Sequence, residues 1–330
     1  MSKYVVDVRE AGAVSPDAAP VVKPRTPRIG VISNPRSHGN RNGVRAIDLP
    51  DAVVIRHTPD THDALLDCLR EFAEQRMDLI VIDGGDGTIR DVLTAAHDIF
   101  GGRLPRFAVL QSGKTNALAM DLGVPRDWTI ADALAAHQHD HVATREPILV
   151  RWLNSDRPAA LGFIFGFGAY VRATLLARRI HRQGWFHGPA VAMTVARAVL
   201  ATVMGDGRGG WRRGSLVRVS RDRFDILSER MFLILGSTLH QMPLGIKPFG
   251  RPRGGLKFLA VKAPPRQILR FVPAILSGRT SSKLEENGYI RRDADRVFLA
   301  IRKGFILDGE HFPGGNLVIG RTTPVEFVVP

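Results

Sequence analysis

Short apolar runs alternate with amphipathic stretches through the first half of the chain. "RIGVIS" at 28–33, "AVVIRHT" at 52–58, "MDLIVID" at 77–83 and "RFAVLQ" at 106–111 are rich in Val, Ile and Leu. They read as strands buried on both faces. Between them, "THDALLDCLREFAEQR" at 61–76 places Leu65, Leu66, Leu69, Phe72 and Ala73 at helical spacing. "TIRDVLTAAHDI" at 88–99 predicts a second helix, and "TNALAMDLG" at 115–123 a third that stops at Gly123 before Pro125. Strands and helices in alternation, joined by short links, predict a parallel sheet covered on both faces.

The texture changes after about residue 145. "REPILVRWLN", "AALGFIFGFG", "GSLVRVSRD", "ERMFLILGST", "GLKFLAVKA", "DRVFLAIRKGFILDGE" and "GNLVIGRTTPVEFVVP" read as strands separated by turn residues. Helical stretches interrupt them at 169–183, at 188–204 and in "PRQILRFVPAILSGR". The expected organisation is a mobile tail over 1–27, an α/β domain over 28–145 and a β-rich, sandwich-like domain over 146–316. Strands over 317–330 are free to return to the first domain. The tail carries Pro16, Pro20, Pro24 and Pro27 and lacks the apolar core of a signal peptide. "GPAVAMTVARAVLATVMG" at 188–205 is broken by Arg197 and only marginal in length for spanning, so it reads as a buried or interfacial helix.

Composition narrows the setting. The 330 residues are 44% hydrophobic, enough for a real core, and Cys68 is the only cysteine, which excludes an intrachain disulfide and fits a reducing cytosol. A net charge of +14 favours anionic partners or serves plain solubility. No DNA-reading motif is visible, so nucleic acid is not an expected partner.

The chemistry concentrates at strand-to-helix junctions. In "VIDGGDGTIRD", Gly84, Gly85 and Gly87 surround Asp86, and Thr88 opens the predicted helix. Glycines let backbone N–H groups approach a ligand, and a helix start adds free donors, which together suit phosphate. Asp86 stands where a phosphate-bridging divalent ion could be held. The bland alternative is a tight turn with Thr88 as N-cap. A second such turn is Gly113-Lys114-Thr115-Asn116. A Walker reading fails there, because Ala108 occupies the position that needs glycine. "SNPRSHGNRNG", with Asn34, and the strand end at Thr58 face the same edge of the sheet. Far away, Asp308-Gly309-Glu310 reads by itself as a hairpin turn.

Taken in order, "SNPRSHGN", "GGDGTIRDVLTA", "SGKTNALAMDLGVP" and "LDGEHFPG" resemble the diacylglycerol kinase catalytic-domain family, over about residues 28–320. That family includes bacterial soluble lipid kinases and the sphingosine and ceramide kinases. The resemblance implies an ATP-binding α/β domain of the NAD kinase/diacylglycerol kinase type, a β-rich lipid domain and an active site between them. It implies that Asn34 and Thr58 line the nucleotide side, that Gly84 to Thr88 wrap the ATP phosphates, and that Gly113 to Asn116 complete the pocket. It implies a proton acceptor at Glu310 with Asp308 beside it, and ATP-bound Mg2+ managed by Asp86. The expected reaction is transfer of the γ-phosphate to a hydroxyl of a diacylglycerol-like or sphingoid-like lipid, by a cytoplasmic protein that docks peripherally on an anionic membrane.

The sequence also departs from the family. Lys114 stands for a usual threonine, Thr115 for a small residue, and Arg90-Asp91 for an Asn-Glu pair. The family's acidic turn for a structural magnesium corresponds to "RPRGGLKFLAV" at 251–261, which has no acid, so that metal site is expected to be absent. A catalytically inactive lipid- or nucleotide-binding regulator and a soluble NAD kinase-like enzyme are the alternatives, and a homodimer is left open. "ARRIHRQGWFHG" at 177–188 and "GRGGWRRG" at 207–214 mix cations with aromatics, as a phospholipid interface or a solvated face would. His57, His62 and His97 show no metal-ligand spacing.

Overall fold

The structure is a computed structural model that describes residues 26–40, 49–182, 212–221, 225–250 and 255–330. In chain order the first elements are β1 (Arg28–Ser33), β2 (Val53–His57), α1 (His62–Glu74), β3 (Leu79–Gly84) and α2 (Asp86–Ile99). They continue with β4 (Arg106–Gln111), α3 (Ala117–Asp121), α4 (Ile130–Gln138) and β5 (Val142–Arg145). The second half comprises β6 (Ile148–Trp152), β7 (Ala160–Gly162), β8 (Ile164–Gly168), α5 (Ala169–Arg182), β9 (Ser215–Arg221), β10 (Asp225–Ser237) and β11 (Leu256–Lys262). Then come α6 (Ile268–Leu276), α7 (Ser282–Glu286), β12 (Tyr289–Ala294), β13 (Arg296–Ile301), β14 (Phe305–Leu307), β15 (Glu310–Phe312), β16 (Gly315–Arg321) and β17 (Val325–Val328).

The first sheet has six strands in the order β2-β1-β3-β4-β17-β5. Strands β1 to β4 and β17 run parallel, and β5 pairs antiparallel with β17. The continuous apolar runs of β3 and β4 are buried because helices cover the sheet. Helix α1 starts at Thr61, whose Oγ1 accepts from the Ala64 amide at 3.1 Å, and it buries Leu65, Leu69 and Phe72. Phe72 lies so close over β1 that a Cβ on Gly30 would sit 2.5 Å from its ring.

The second sheet has eleven strands, antiparallel throughout. Strand β10 organises it. Its first half pairs with β9, and past an irregularity between Met231 and Leu233 its second half pairs with β8 and β11. A long strand that changes neighbours at such a point bends the sheet. The sheet therefore curls around its own core of Trp152, Phe165, Phe167, Ile234, Phe258 and Phe305. This is an α/β domain with a mostly parallel sheet joined to a curled β-rich one, the architecture the pattern predicts.

The chain crosses between the sheets at Arg145–Ile148 and again between Arg321 and Val325. Arg145 grips the fully buried Asp121 at 2.6 Å, and the other Asp121 oxygen accepts from the Gln241 amide at 2.5 Å. One buried carboxylate thus ties the end of α3 to the second half.

Local boundaries differ from the sequence reading at informative places. Helix α2 begins at Asp86 rather than Thr88, with Gly85 as its N-cap. An acid in the first turn is favoured by the helix dipole, and the Thr88 hydroxyl is not a cap because it accepts from Asn34 Nδ2 at 2.8 Å. Helix α3 spans only Ala117–Asp121, since Asn116 is left-handed at φ 53°. Strand β2 stops at His57. "AALGFIFGFG" is split at Phe163 into β7 and β8, with Phe163 itself in neither. The predicted 188–204 helix lies outside the described residues, as do most of the aromatic–basic stretches at 177–188 and 207–214 and the first four residues of the 251–261 turn.

Candidate active site

Parallel strands point their C-terminal ends to one edge, where α/β sheets bind ligands. Three turns meet there and are stitched by hydrogen bonds. The Asn34 amide donates to the Asp83 carbonyl, and Asn40 Nδ2 donates to the carbonyls of Asn34 and Asp83. The Gly39 amide donates to the Ser112 carbonyl at 2.8 Å. Ser112 Oγ donates to Asp83 Oδ1 at 2.5 Å. Asp83 and Ser112 are fully buried, and neither was singled out from the sequence, where each reads as an ordinary strand end.

Gly84, Gly85 and Gly113 are required by space rather than by backbone sign. None of Gly84, Gly85, Gly87 and Gly113 has positive φ. A Cβ on Gly84 would strike the Thr88 side chain at 2.5 Å, and one on Gly113 would come within 2.5 Å of the Gly85 Cα. The two glycine turns therefore pack backbone against backbone, which side chains would forbid. Gly85 offers α2 no side-chain cap, so amides of its first turn stay open to an anion.

Asn116 and Asp86 hold this arrangement. Asn116 Oδ1 accepts from the Gly113 amide at 2.7 Å, and its Nδ2 donates to the Gly113 carbonyl at 3.1 Å. Its amide is spent on its own turn. Asp86 Oδ1 accepts from the Leu118 amide at 3.4 Å and faces the amides of Ala117 and Asn116. It therefore caps α3 and joins the two glycine turns. Burial raises its pKa, and those amides oppose the rise. Lys114 and Thr115 are exposed, and Thr58 is exposed one residue past β2 on the same edge.

The second half contributes the Asp308-Gly309-Glu310 hairpin between β14 and β15. Asp308 is left-handed at φ 45°. Its Oδ1 accepts from the Ile164 amide at 2.8 Å and its Oδ2 from the Phe163 amide at 2.9 Å. Those donors are available because the strand breaks between β7 and β8. Gly162 leaves the room: a Cβ there would lie 2.6 Å from Asp308 Oδ2. Burial, and then the charge of Asp86, push the Asp308 carboxyl up to about 7, against the pull of the Ile164 and Phe163 amides and of Arg90. The fold thus brings together Asp86 and Asp308, which stand 222 positions apart in the chain. Glu310 is exposed at the start of β15.

Two further residues belong here. Arg90 is only 7% exposed. Its guanidinium donates to Asp91 Oδ1 at 2.7 and 3.0 Å and to the Leu307 carbonyl at 3.4 Å, and it lies 5.6 Å from the Phe312 ring centre. It pins the hairpin to α2. Tyr170 lies across Gly166, and burial together with Asp308 and Asp86 pushes its hydroxyl up to about 12. That hydroxyl shares a hydrogen bond with Thr174. In the sequence, Arg90 appears only as a departure from the family pattern, and Tyr170 carries no signal.

Among the described residues, no group of three or more His, Cys, Asp or Glu side chains could hold a metal. Mg2+ in phosphate chemistry is commonly held by one or two carboxylates together with phosphate oxygens. Asp86, on the turn whose open amides suit phosphate, would supply such a carboxylate. A cavity of about 490 Å³, lined by Glu146, His240, Asp293 and Arg321, lies instead at the crossovers between the sheets.

Residues 28–145 match the diacylglycerol kinase catalytic domain family. No curated protein matches the chain. Among solved structures, one described as a diacylglycerol kinase from Bacillus anthracis str. Sterne aligns with a TM-score of 0.62 and 16% identity, covering 93% of this chain and 98% of its own. A second structure from the same organism aligns with a TM-score of 0.64 and 16% identity, covering 93% and 99%. At that identity the likeness concerns the fold.

Proposed function

We propose, from the match of residues 28–145 to the diacylglycerol kinase catalytic domain family, that the chain is an ATP- and Mg2+-dependent lipid kinase. It transfers the γ-phosphate of ATP to a hydroxyl of a diacylglycerol-like or sphingoid-like lipid. The observation that carries this reading is the meeting of Asp86, from the glycine turn, with Asp308, from the hairpin of the other half.

The roles follow from the geometry. The open amides at the start of α2 and the packed Gly85–Gly113 turns cradle the phosphates. Asp308, with a carboxyl near 7, is poised to take the proton of an attacking hydroxyl at neutral pH. We therefore propose Asp308 as proton acceptor in place of Glu310, the residue that the resemblance implies. Mg2+ carried by ATP, with Asp86 as its carboxylate ligand, would neutralise charge developing on the transferred group. Peripheral association with an anionic membrane in the cytoplasm suits the net charge of +14. Among the described residues no helix is long and apolar enough to cross a membrane.

The test is untargeted. Purified protein, labelled ATP, Mg2+ and total lipid extract should yield a labelled lipid. Asp86→Ala and Asp308→Ala should each abolish it, while Glu310→Ala should reduce it less. ATP binding without transfer to any lipid would favour the inactive regulator. Label in NAD but not in lipid would favour the NAD kinase-like enzyme.

A further inference from the structure

Between Arg230 and Leu284 the chain has no Asp or Glu, against ten Lys and Arg. Within this acid-free segment lie the most exposed leucines of the described residues. Leu244 is 81% exposed and Leu269 60%, and Leu276 is exposed too. Leu269, Pro273 and Leu276 form one stripe along the solvent side of α6, while Phe271 and Ile275 bury the other side. Leu244 sits at the tip of the Pro243–Gly245 turn with φ 61°, a backbone state that favours Gly or Asn. An exposed leucine in that state gains nothing from folding, and such an outlier points to function.

The turn and the helix are one rigid unit. The Lys247 amide donates to the Leu276 carbonyl at 2.8 Å. Arg291 donates to the carbonyls of Pro248, Arg279 and Ile275 at 2.8, 2.8 and 3.0 Å. Exposed Lys247, Arg266, Arg270 and Arg279 flank the leucines. The next acids, Glu285 and Glu286, lie beyond the segment, and Glu285 is paired with Arg292. The Pro243–Gly245 turn also abuts α3, the helix leaving the Gly113–Asn116 turn, where Met120 is exposed.

We propose that α6 and the 243–247 turn form a docking surface for anionic lipid bilayers. The leucines enter the apolar boundary, and the Lys and Arg side chains take lipid phosphates, as in interfacial amphipathic helices. A basic surface with an apolar centre complements such a bilayer, whereas a second copy would bring like charges together. The proposal rests on the membrane association in the reading above and names its surface, while its test, made without ATP, fails or succeeds independently of phosphate transfer.

Full-length protein is sedimented with phosphatidylcholine vesicles, with or without phosphatidylglycerol. The wild type should bind the anionic vesicles, and added salt should weaken binding. Leu244→Asn with Leu269→Ser should lower partitioning at least about tenfold, with an unchanged or higher melting temperature, since Asn suits the left-handed turn. Arg266→Ser with Arg270→Ser should lower binding to anionic vesicles only. Unaltered binding by the leucine variant would overturn the proposal. So would a wild type that ignores anionic vesicles, or a wild-type dimer in light scattering that the leucine variant dissolves.

Discussion

Asp308→Asn should stabilise the protein while abolishing phosphate transfer, and the stabilisation should depend on pH. The carboxyl rises from an ordinary 3.8 to about 7 through burial and the charge of Asp86. At about 1.36 kcal/mol per pKa unit, the cost of ionising it in the folded state approaches about 4 kcal/mol. Relaxation around the charge reduces the measurable part to about 1–3 kcal/mol. A carboxyl with a raised folded pKa binds more protons folded than unfolded between about pH 4 and 7, so stability falls as pH rises through that window. Asparagine removes the charge, keeps an oxygen for the Ile164 and Phe163 amides, and tolerates the left-handed backbone. Urea unfolding of both proteins should show a small difference near pH 4 that grows to a plateau above pH 7. A difference that stays flat, or a variant that still phosphorylates lipid, would refute the reasoning.

Other consequences are equally direct. Arg90→Gln removes a charge that holds the Asp308 carboxyl down, so the acid limb of the pH–rate profile should move to higher pH. Gly113→Ala forces a Cβ against the Gly85 backbone and should cost about 1–3 kcal/mol, with loss of ATP binding in calorimetry. Asp121→Ala leaves Arg145, 11% exposed, without its carboxylate and should cost about 3–5 kcal/mol in thermal unfolding. Thr88→Val removes the acceptor of Asn34 Nδ2 and should loosen the first glycine turn by about 1 kcal/mol.

Much of the scaffold was legible because it rests on local physics. The apolar runs of β1, β3 and β4 can be buried only in a covered parallel sheet, and the period of α1 names the face it buries. The glycine turns were visible as phosphate-type junctions, although the reason for glycine is packing between turns rather than backbone sign. Helix α2 starts two residues before Thr88, at Asp86, and the Thr88 hydroxyl accepts instead from Asn34, one residue past β1.

By itself, the sequence determined the two architectures, and it pointed to one edge of the first sheet and to Asp86 and Asp308-Gly309-Glu310 as candidates. Only the tertiary structure decided which carboxylate of that hairpin is buried against Asp86, and that Arg90 and Tyr170 attend it. The reason is physical. A residue's period and propensity act within a few positions of it, while the raised pKa of Asp308 arises from desolvation and from a charge 222 positions away. Those exist only once the two sheets have closed on each other.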